Sequence, residues 1–67
     1  MEQRIKELRA SFGWTQEQLA EKLGVSRQTI ISIENGRYNP SLELAYKIAK
    51  SFQLSIEDVF IFEKGSD

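Results

Sequence analysis

The stretch GVSRQTIISIENGR, residues 24–37, contains the end of one helix and the whole of the next. Ser26 is placed to cap a helix in which Ile30 and Ile33 fall on one side. The opposite side carries Arg27, Gln28, Ile31 and Ser32. We therefore predict a helix over about residues 26–35, with one face in the core and the other turned outward.

The turn before this helix is very short. Leu19, Ala20 and Leu23 mark the apolar face of a preceding helix, and Ser26 already begins the next one. Only three or four residues, one of them Gly24, are left to join the two helices. A turn of that length makes the helices cross steeply, which predicts a helix-turn-helix arrangement.

The rest of the chain also shows helical spacing. Its apolar positions mark a first helix (Ile5, Leu8, Phe12), a fourth (Leu42, Ala45, Ile48, Ala49, Phe52) and a short fifth (Ile56, Val59, Phe60). Thr15 and Gln18 have the spacing of a capping box at the start of the second helix. Pro40 should begin the fourth helix, with either Asn39 or Ser41 as its cap. The prediction is an all-α fold, a compact bundle of five short helices in a single domain, residues 1–67.

Composition excludes several classes of function. The 67 residues include no Cys and no His, so disulfides, a zinc site and the usual nucleophile–base pairs are excluded. We expect no enzymatic activity, no metal and no cofactor or other small-molecule ligand. The start, MEQRIKELRA, lacks a signal-peptide core, and no apolar run approaches the roughly 20 residues of a membrane span. The expectation is a soluble cytoplasmic protein that does not bind a membrane.

The charges are unevenly distributed. Residues 1–54 hold eight Lys/Arg and six Asp/Glu, whereas residues 55–67 hold one Lys and four Asp/Glu. The net charge of −1 therefore divides into +2 and −3. A local basic face remains compatible with nucleic acid.

The outward face of the predicted third helix suits a DNA major groove. Arg can bridge O6 and N7 of guanine, and Gln can do the same with N6 and N7 of adenine, which assigns base contacts to Arg27 and Gln28. Ser32 can reach a base or a phosphate, and Ile31 suits a thymine methyl group. The alternatives are a plain solvated face with one exposed aliphatic residue, or Ile31 packed against the second helix.

The segments TQEQLAEKLGVS, IENGR and PSLELAYKIAK together resemble the phage repressor/Cro-like (XRE) helix-turn-helix family over residues 4–59. The resemblance implies a lambda-repressor-like fold. It also implies a sequence-specific regulator of transcription that binds double-stranded DNA, with repression as the expected direction. The alternative function is a protein-interaction module, such as an antitoxin or co-regulator, that uses an apolar C-terminal tail.

The resemblance also implies roles for individual residues. Base-reading positions correspond to Arg27, Gln28 and Ser32, while Ile31 departs from the small polar residue more usual there. Contacts to the DNA backbone correspond to Gln16, Asn35 and Arg37, with Thr29 at the edge of that surface. Tyr38 either covers the core edge or offers its hydroxyl to a phosphate. Arg9 and Glu34 correspond to an ion pair that ties the first helix to the end of the third.

The C-terminal tail, about residues 60–67, begins within the apolar run Val59-Phe60-Ile61-Phe62. The run favours extended structure, and a monomer of this size is not expected to bury all of it. We predict that Phe60, Ile61 and Phe62 pack against, or pair with, a second copy, giving a homodimer on an inverted-repeat operator. The alternative is a tail that folds back onto helices one and five of its own chain.

Overall fold

Five α-helices and two short strands make up residues 2–62, the part of the chain that this computed structural model describes. In chain order these are β1 (Glu2–Gln3), α1 (Ile5–Ser11), α2 (Gln16–Leu23), α3 (Arg27–Glu34), α4 (Leu42–Ser51), α5 (Ile56–Val59) and β2 (Phe60–Ile61). Each helix predicted from the sequence is present. Every helix in this range is too short to cross a bilayer.

Polar side chains fix where the helices begin. The Thr15 hydroxyl accepts the Gln18 N–H while the Gln18 side chain accepts the Thr15 N–H, so the predicted capping box is confirmed. Ser41 caps α4 by accepting the N–H of Leu44 at 3.1 Å, which decides between the two predicted caps. Pro40 lies before this cap and outside the helix, because α4 begins only at Leu42.

The last helix has a second capping box. The Asp58 carboxylate accepts the backbone N–H and the hydroxyl of Ser55, at 3.1 and 2.9 Å. These bonds, the backbone one first, hold the pKa of Asp58 below its ordinary value, because they favour the charged carboxylate.

The junction between α2 and α3 forms the predicted helix-turn-helix. α2 ends at Leu23 and is capped by Gly24, whose left-handed φ of 74° closes the last turn without a Cβ penalty. Ser26 then caps α3 by accepting the N–H of Thr29 at 3.2 Å. The two helices pack directly against each other, so α3 is positioned by α2.

The core draws on all five helices and on β2. Its buried members are Ile5, Leu8, Leu19, Ala20, Leu23, Ile30, Ile33, Ala45, Ile48, Ala49, Phe52, Val59 and Phe60. Two residues predicted on apolar faces lie elsewhere. Phe12 follows the end of α1 and stays half exposed against the ring of Trp14, and Leu42, the first residue of α4, is 77% exposed. Phe12 thus lies just past the last residue of α1, and Leu42 lies in the first turn of α4, so both stand at helix ends.

The tail is where the structure corrects the sequence prediction. β2 pairs antiparallel with β1 of the same chain, Glu2 opposite Ile61 and Gln3 opposite Phe60, so the fold is helical with a small sheet rather than all-α. Phe60 is 1% exposed in the core of its own chain, and its prediction as a dimer contact is therefore wrong. Ile61 and Phe62 remain substantially exposed. Residues 63–67 of the predicted dimerisation segment lie outside the described residues.

Candidate nucleic-acid interface

The outward face of α3 is formed by its first turn. Arg27 and Gln28 are exposed, whereas Ile30 and Ile33 are buried on the opposite side. Ile31 and Ser32 are half-buried and form the margin of the exposed surface. The face therefore presents the cationic side chain of Arg27 and the amide of Gln28. The apolar side chain of Ile31 and the hydroxyl of Ser32 lie at its margin.

The start of α3 is capped by side-chain hydrogen bonds. In addition to accepting the N–H of Thr29, the Ser26 hydroxyl lies 3.0 Å from the Thr29 hydroxyl. Each hydroxyl has one proton and two lone pairs, so this contact leaves acceptor and donor capacity for one further polar group. Thr29 is half-buried, which places its side chain at the edge of the outward face.

A turn of exposed polar residues follows α3. The N–H of Asn35, the C-cap of α3, donates to Ile31 O at 3.0 Å. The next residue, Gly36, adopts a left-handed φ of 77°. The N–H of Arg37 then bonds to Ser32 O at 2.9 Å. The predicted backbone-contacting residues Asn35, Arg37 and Tyr38 are all exposed on this turn and the residue after it.

The predicted ion pair between Arg9 and Glu34 is present. Arg9 Nε donates to Glu34 Oε2 at 2.9 Å, and a terminal guanidinium nitrogen lies 3.3 Å from Oε1. The other terminal nitrogen donates to the carbonyl of Trp14 at 2.9 Å. The side chains are only 14% and 4% exposed, respectively. One guanidinium thus joins α1, the turn before α2 and the end of α3.

Gln16 belongs to the same network. Its amide nitrogen donates to Glu34 Oε1 at 3.0 Å, which ties the first residue of α2 to the last residue of α3. The amide has a second N–H, so this bond leaves one donor for a phosphate. The structure therefore gives Gln16 a position beside the end of α3 that its sequence position alone did not indicate.

Gln3 is a contributor that sequence reasoning missed. Its amide nitrogen donates to the carbonyls of Ile33 and Glu34 at 3.1 and 3.2 Å. A polar residue near the start of a chain carries no pattern that indicates such a contact, since the partner carbonyls lie 30 and 31 residues away.

The aromatic residues near α2 serve packing. The Trp14 ring stacks on Phe52 at a centroid distance of 5.4 Å and an interplanar angle of 21°. Lys22 lies over the Trp14 ring, with its Nζ 4.6 Å from the ring centroid. Trp14 is packed against the core, as expected for the residue before an N-cap.

The geometry agrees with a known family. The helix-turn-helix family matches residues 5–59, which is most of the chain. The chain is a helix-turn-helix protein. This helix-turn-helix chain is 59% identical over 64 residues to an HTH-type transcriptional regulator of Archaeoglobus fulgidus, covering 96% of the chain and 90% of that protein. It is 55% identical over 64 residues to the HTH-type transcriptional regulator YgzD of Bacillus subtilis, covering 96% and 97%.

The similarity extends to an antitoxin and to solved regulators. Antitoxin HipB of Escherichia coli K12 is 40% identical over 52 residues, covering 78% of this chain and 59% of HipB. The restriction-modification controller C.AhdI from Aeromonas hydrophila superposes with a TM-score of 0.79, 33% identity, and coverage of 85% of this chain and 86% of that one. SinR of Bacillus subtilis, the master regulator for biofilm formation, has been solved in complex with DNA. It superposes with a TM-score of 0.74 and 34% identity, and the match covers 81% of this chain and 87% of that one.

Proposed function

We propose that this protein is a sequence-specific regulator of transcription that inserts α3 into the major groove of double-stranded DNA. The supporting observation is the division of α3 into a core side and an exposed first turn carrying Arg27 and Gln28. These side chains have the donors and acceptors that distinguish guanine and adenine in the major groove. Ile31 and Ser32 at the margin of this face complete the proposed base contacts, Ile31 toward a thymine methyl group.

Contacts to the phosphate backbone flank the base-reading face in this proposal. The residues involved stand at the start of α2, at the edge of α3 and on the turn after it: Gln16, Thr29, Asn35, Arg37 and Tyr38. Such contacts set the register of the protein on the duplex, while the base contacts set the sequence preference. A regulator of this kind acts where the DNA is, so the proposed location is the cytoplasm.

Repression is the proposed direction of regulation. A domain seated in the major groove of a promoter occupies space that the transcription machinery needs, and repression requires no further contact. The relatives support a regulatory role, because they include HTH-type transcriptional regulators and the controller C.AhdI.

Salt dependence and site selection test the proposed DNA binding. Each phosphate that is neutralised lowers the slope of log affinity against log salt by about 0.9. Of the proposed backbone contacts Arg37 is the cationic one, and a homodimer would supply two copies of it, so we expect affinity to fall by about tenfold between about 50 and 200 mM salt. Selection of bound sequences from random duplexes should yield a defined motif. Binding that ignores both salt and sequence would contradict the proposal.

We also propose that the protein acts as a homodimer on an inverted repeat. The exposed side chains of Ile61 and Phe62, at and just beyond the end of the short strand β2, offer an apolar surface for a second copy. A two-fold dimer would place the two α3 helices about 34 Å apart, in successive major grooves. A small domain also gains stability from such an interface.

The dimer is tested by a double substitution of its exposed tail. Ile61→Ser with Phe62→Ser removes the apolar surface without touching the buried core, so we expect light scattering to change from dimer to monomer. The matched control is Leu42→Ser, which removes an even more exposed apolar side chain from α4. A wild-type monomer at high micromolar concentration, with selected sites showing one half-site, would contradict the dimer.

A second candidate function, an antitoxin or co-regulator, is favoured by the similarity to antitoxin HipB. In that case the exposed tail residues Ile61 and Phe62 would contact a different protein. The salt and site-selection experiment separates the two: a module that acts only through protein contacts selects no DNA motif.

A further inference from the structure

We propose that Gln3 is a positioning residue for DNA binding, which fixes the C-terminal end of α3 and the turn that follows it. The inference rests on the proposed function, because it assigns phosphate contacts to that turn. Three hydrogen bonds carry it. The Gln3 amide nitrogen bonds to Ile33 O and Glu34 O, and its amide oxygen accepts the N–H of Ile5 at 3.0 Å.

The bonds to α3 meet a general need of helix ends. The last four carbonyls of a helix have no donor within the helix and must find one elsewhere. Ile33 and Glu34 are the final residues of α3. Ile33 O already accepts the Gly36 N–H, and the Gln3 amide adds a second donor there and supplies one to Glu34 O. Gln3 therefore acts as a C-terminal cap supplied by a distant part of the chain.

The bond to Ile5 means that the same Gln3 side chain also caps the start of α1. α1 begins at Ile5, and Arg4 at its N-cap makes no side-chain capping bond. The Gln3 oxygen accepts the N–H of the first helical residue in place of such a cap. One amide thus bridges the start of α1 and the end of α3.

The backbone of Gln3 is itself held in place. Gln3 pairs with Phe60 in the two-stranded sheet, and Phe60 is buried in the core. The next residue, Arg4, donates its N–H to Val59 O at 2.8 Å, and Val59 is also buried. The amide therefore projects from a fixed point, so it can hold α3 rather than follow it.

The consequence for DNA lies in the turn after α3. The N–H of Arg37 bonds to Ser32 O, and that of Gly36 bonds to Ile33 O, so the turn is built on the last turn of α3. Without Gln3, this last turn frays more often, and binding must then order the exposed Asn35 and Arg37. The loss falls on phosphate contacts, so it weakens binding to all sequences alike.

The test compares Gln3→Met with Gln53→Met. Methionine has nearly the length of glutamine and leaves the net charge unchanged, but it cannot donate hydrogen bonds to the α3 carbonyls. Gln53, the control position, is an exposed residue on the turn after α4. We expect Gln3→Met to bind selected DNA about three- to tenfold more weakly, with the same base preference, and the control to bind like the wild type. Amide exchange of Asn35, Gly36 and Arg37 should be faster by a similar factor, with exchange of the buried Ile48 amide unchanged.

A second variant, Gln3→Glu, separates the two ends of the bridge. Glutamate keeps an acceptor for the Ile5 N–H but loses the donors and places a negative charge beside the carbonyl end of α3. We expect fast exchange at Asn35–Arg37 with slow exchange at Ile5, whereas Gln3→Met speeds both. Unchanged exchange at Asn35–Arg37 in both variants would overturn the positioning role even if the wild type binds no DNA. If the wild type binds DNA and Gln3→Met binds it with the same affinity, the positioning role is overturned while the proposed function stands.

Discussion

Arg9→Met is expected to lower the free energy of unfolding by about 3–5 kcal/mol, the cost of leaving a buried charge without its partner. Glu34 is 4% exposed at its side chain and receives two bonds from the Arg9 guanidinium. The Gln16 amide, 3.0 Å from Glu34 Oε1, stays in place but carries no charge. The carbonyl of Trp14 also loses its bond from Arg9. Since small domains hold only a few kcal/mol in reserve, a large part of the variant population should be unfolded at 25 °C.

Urea denaturation followed by the fluorescence of Trp14, the single tryptophan, measures this loss. The double substitution Arg9→Met with Glu34→Leu should recover the part of the loss that comes from the unpaired Glu34 charge, because an apolar replacement of a buried pair is often neutral or stabilising. The Trp14 carbonyl and the Gln16 amide still lack their partners in this variant. The control is Lys47→Met, which breaks the exposed pair with Glu43 at 4.0 Å and should change stability by less than about 1 kcal/mol. A loss of that small size for Arg9→Met would mean that the buried pair contributes no more than a surface pair.

The sequence predicts the helices well because their ends are marked locally. Thr15 with Gln18, and Ser26 before Thr29, are caps that act within four residues, and the structure contains both. The inward positions of α3, Ile30 and Ile33, follow from the helical period alone and are buried as expected. These features need no knowledge of the rest of the chain.

Features that depend on distant residues could not be predicted in the same way. β1 consists of two polar residues, and it is a strand only because Phe60 and Ile61 lie beside it. The apolar run 59–62 crosses from the helix α5 into the strand β2, so the helical spacing does not continue through it. Of the described tail residues 60–62, Phe60 is the buried one.

The residues of the candidate site likewise divide into those predicted from local sequence and those whose roles depend on distant parts of the chain. Arg27 and Gln28 were assigned from the geometry of one helix, and their exposure agrees with that assignment. The partnership of Arg9 with Glu34 joins residues 25 apart and came only from the family resemblance. Neither the helical spacing nor the family resemblance indicated Gln3, because its role depends on the pairing of β1 with β2, which the sequence does not predict.

Arg27→Ala is expected to weaken binding at each half-site of the selected operator by about 1–3 kcal/mol, which is about five- to a hundred and fiftyfold, and to relax the preference at one base pair in that half-site. The reason is the loss of a bidentate contact that only guanine can complete. Arg27 is exposed on the first turn of α3, so its removal should not change the stability of the fold. Competition binding with operators changed at one position at a time measures both effects.

Arg37→Ala provides the contrast that identifies a base contact. Arg37 is exposed on the turn after α3, where the proposal gives it a phosphate. Its loss should weaken binding to every sequence by a similar factor and reduce the salt slope by about 1 for each bound subunit, without relaxing any base position. Gln28→Ala should behave like Arg27→Ala, but at a neighbouring base pair. If the Arg27 and Gln28 variants bind the operator as the wild type does, α3 does not read the groove through its first turn, and the exposed polar face of this helix is only solvated.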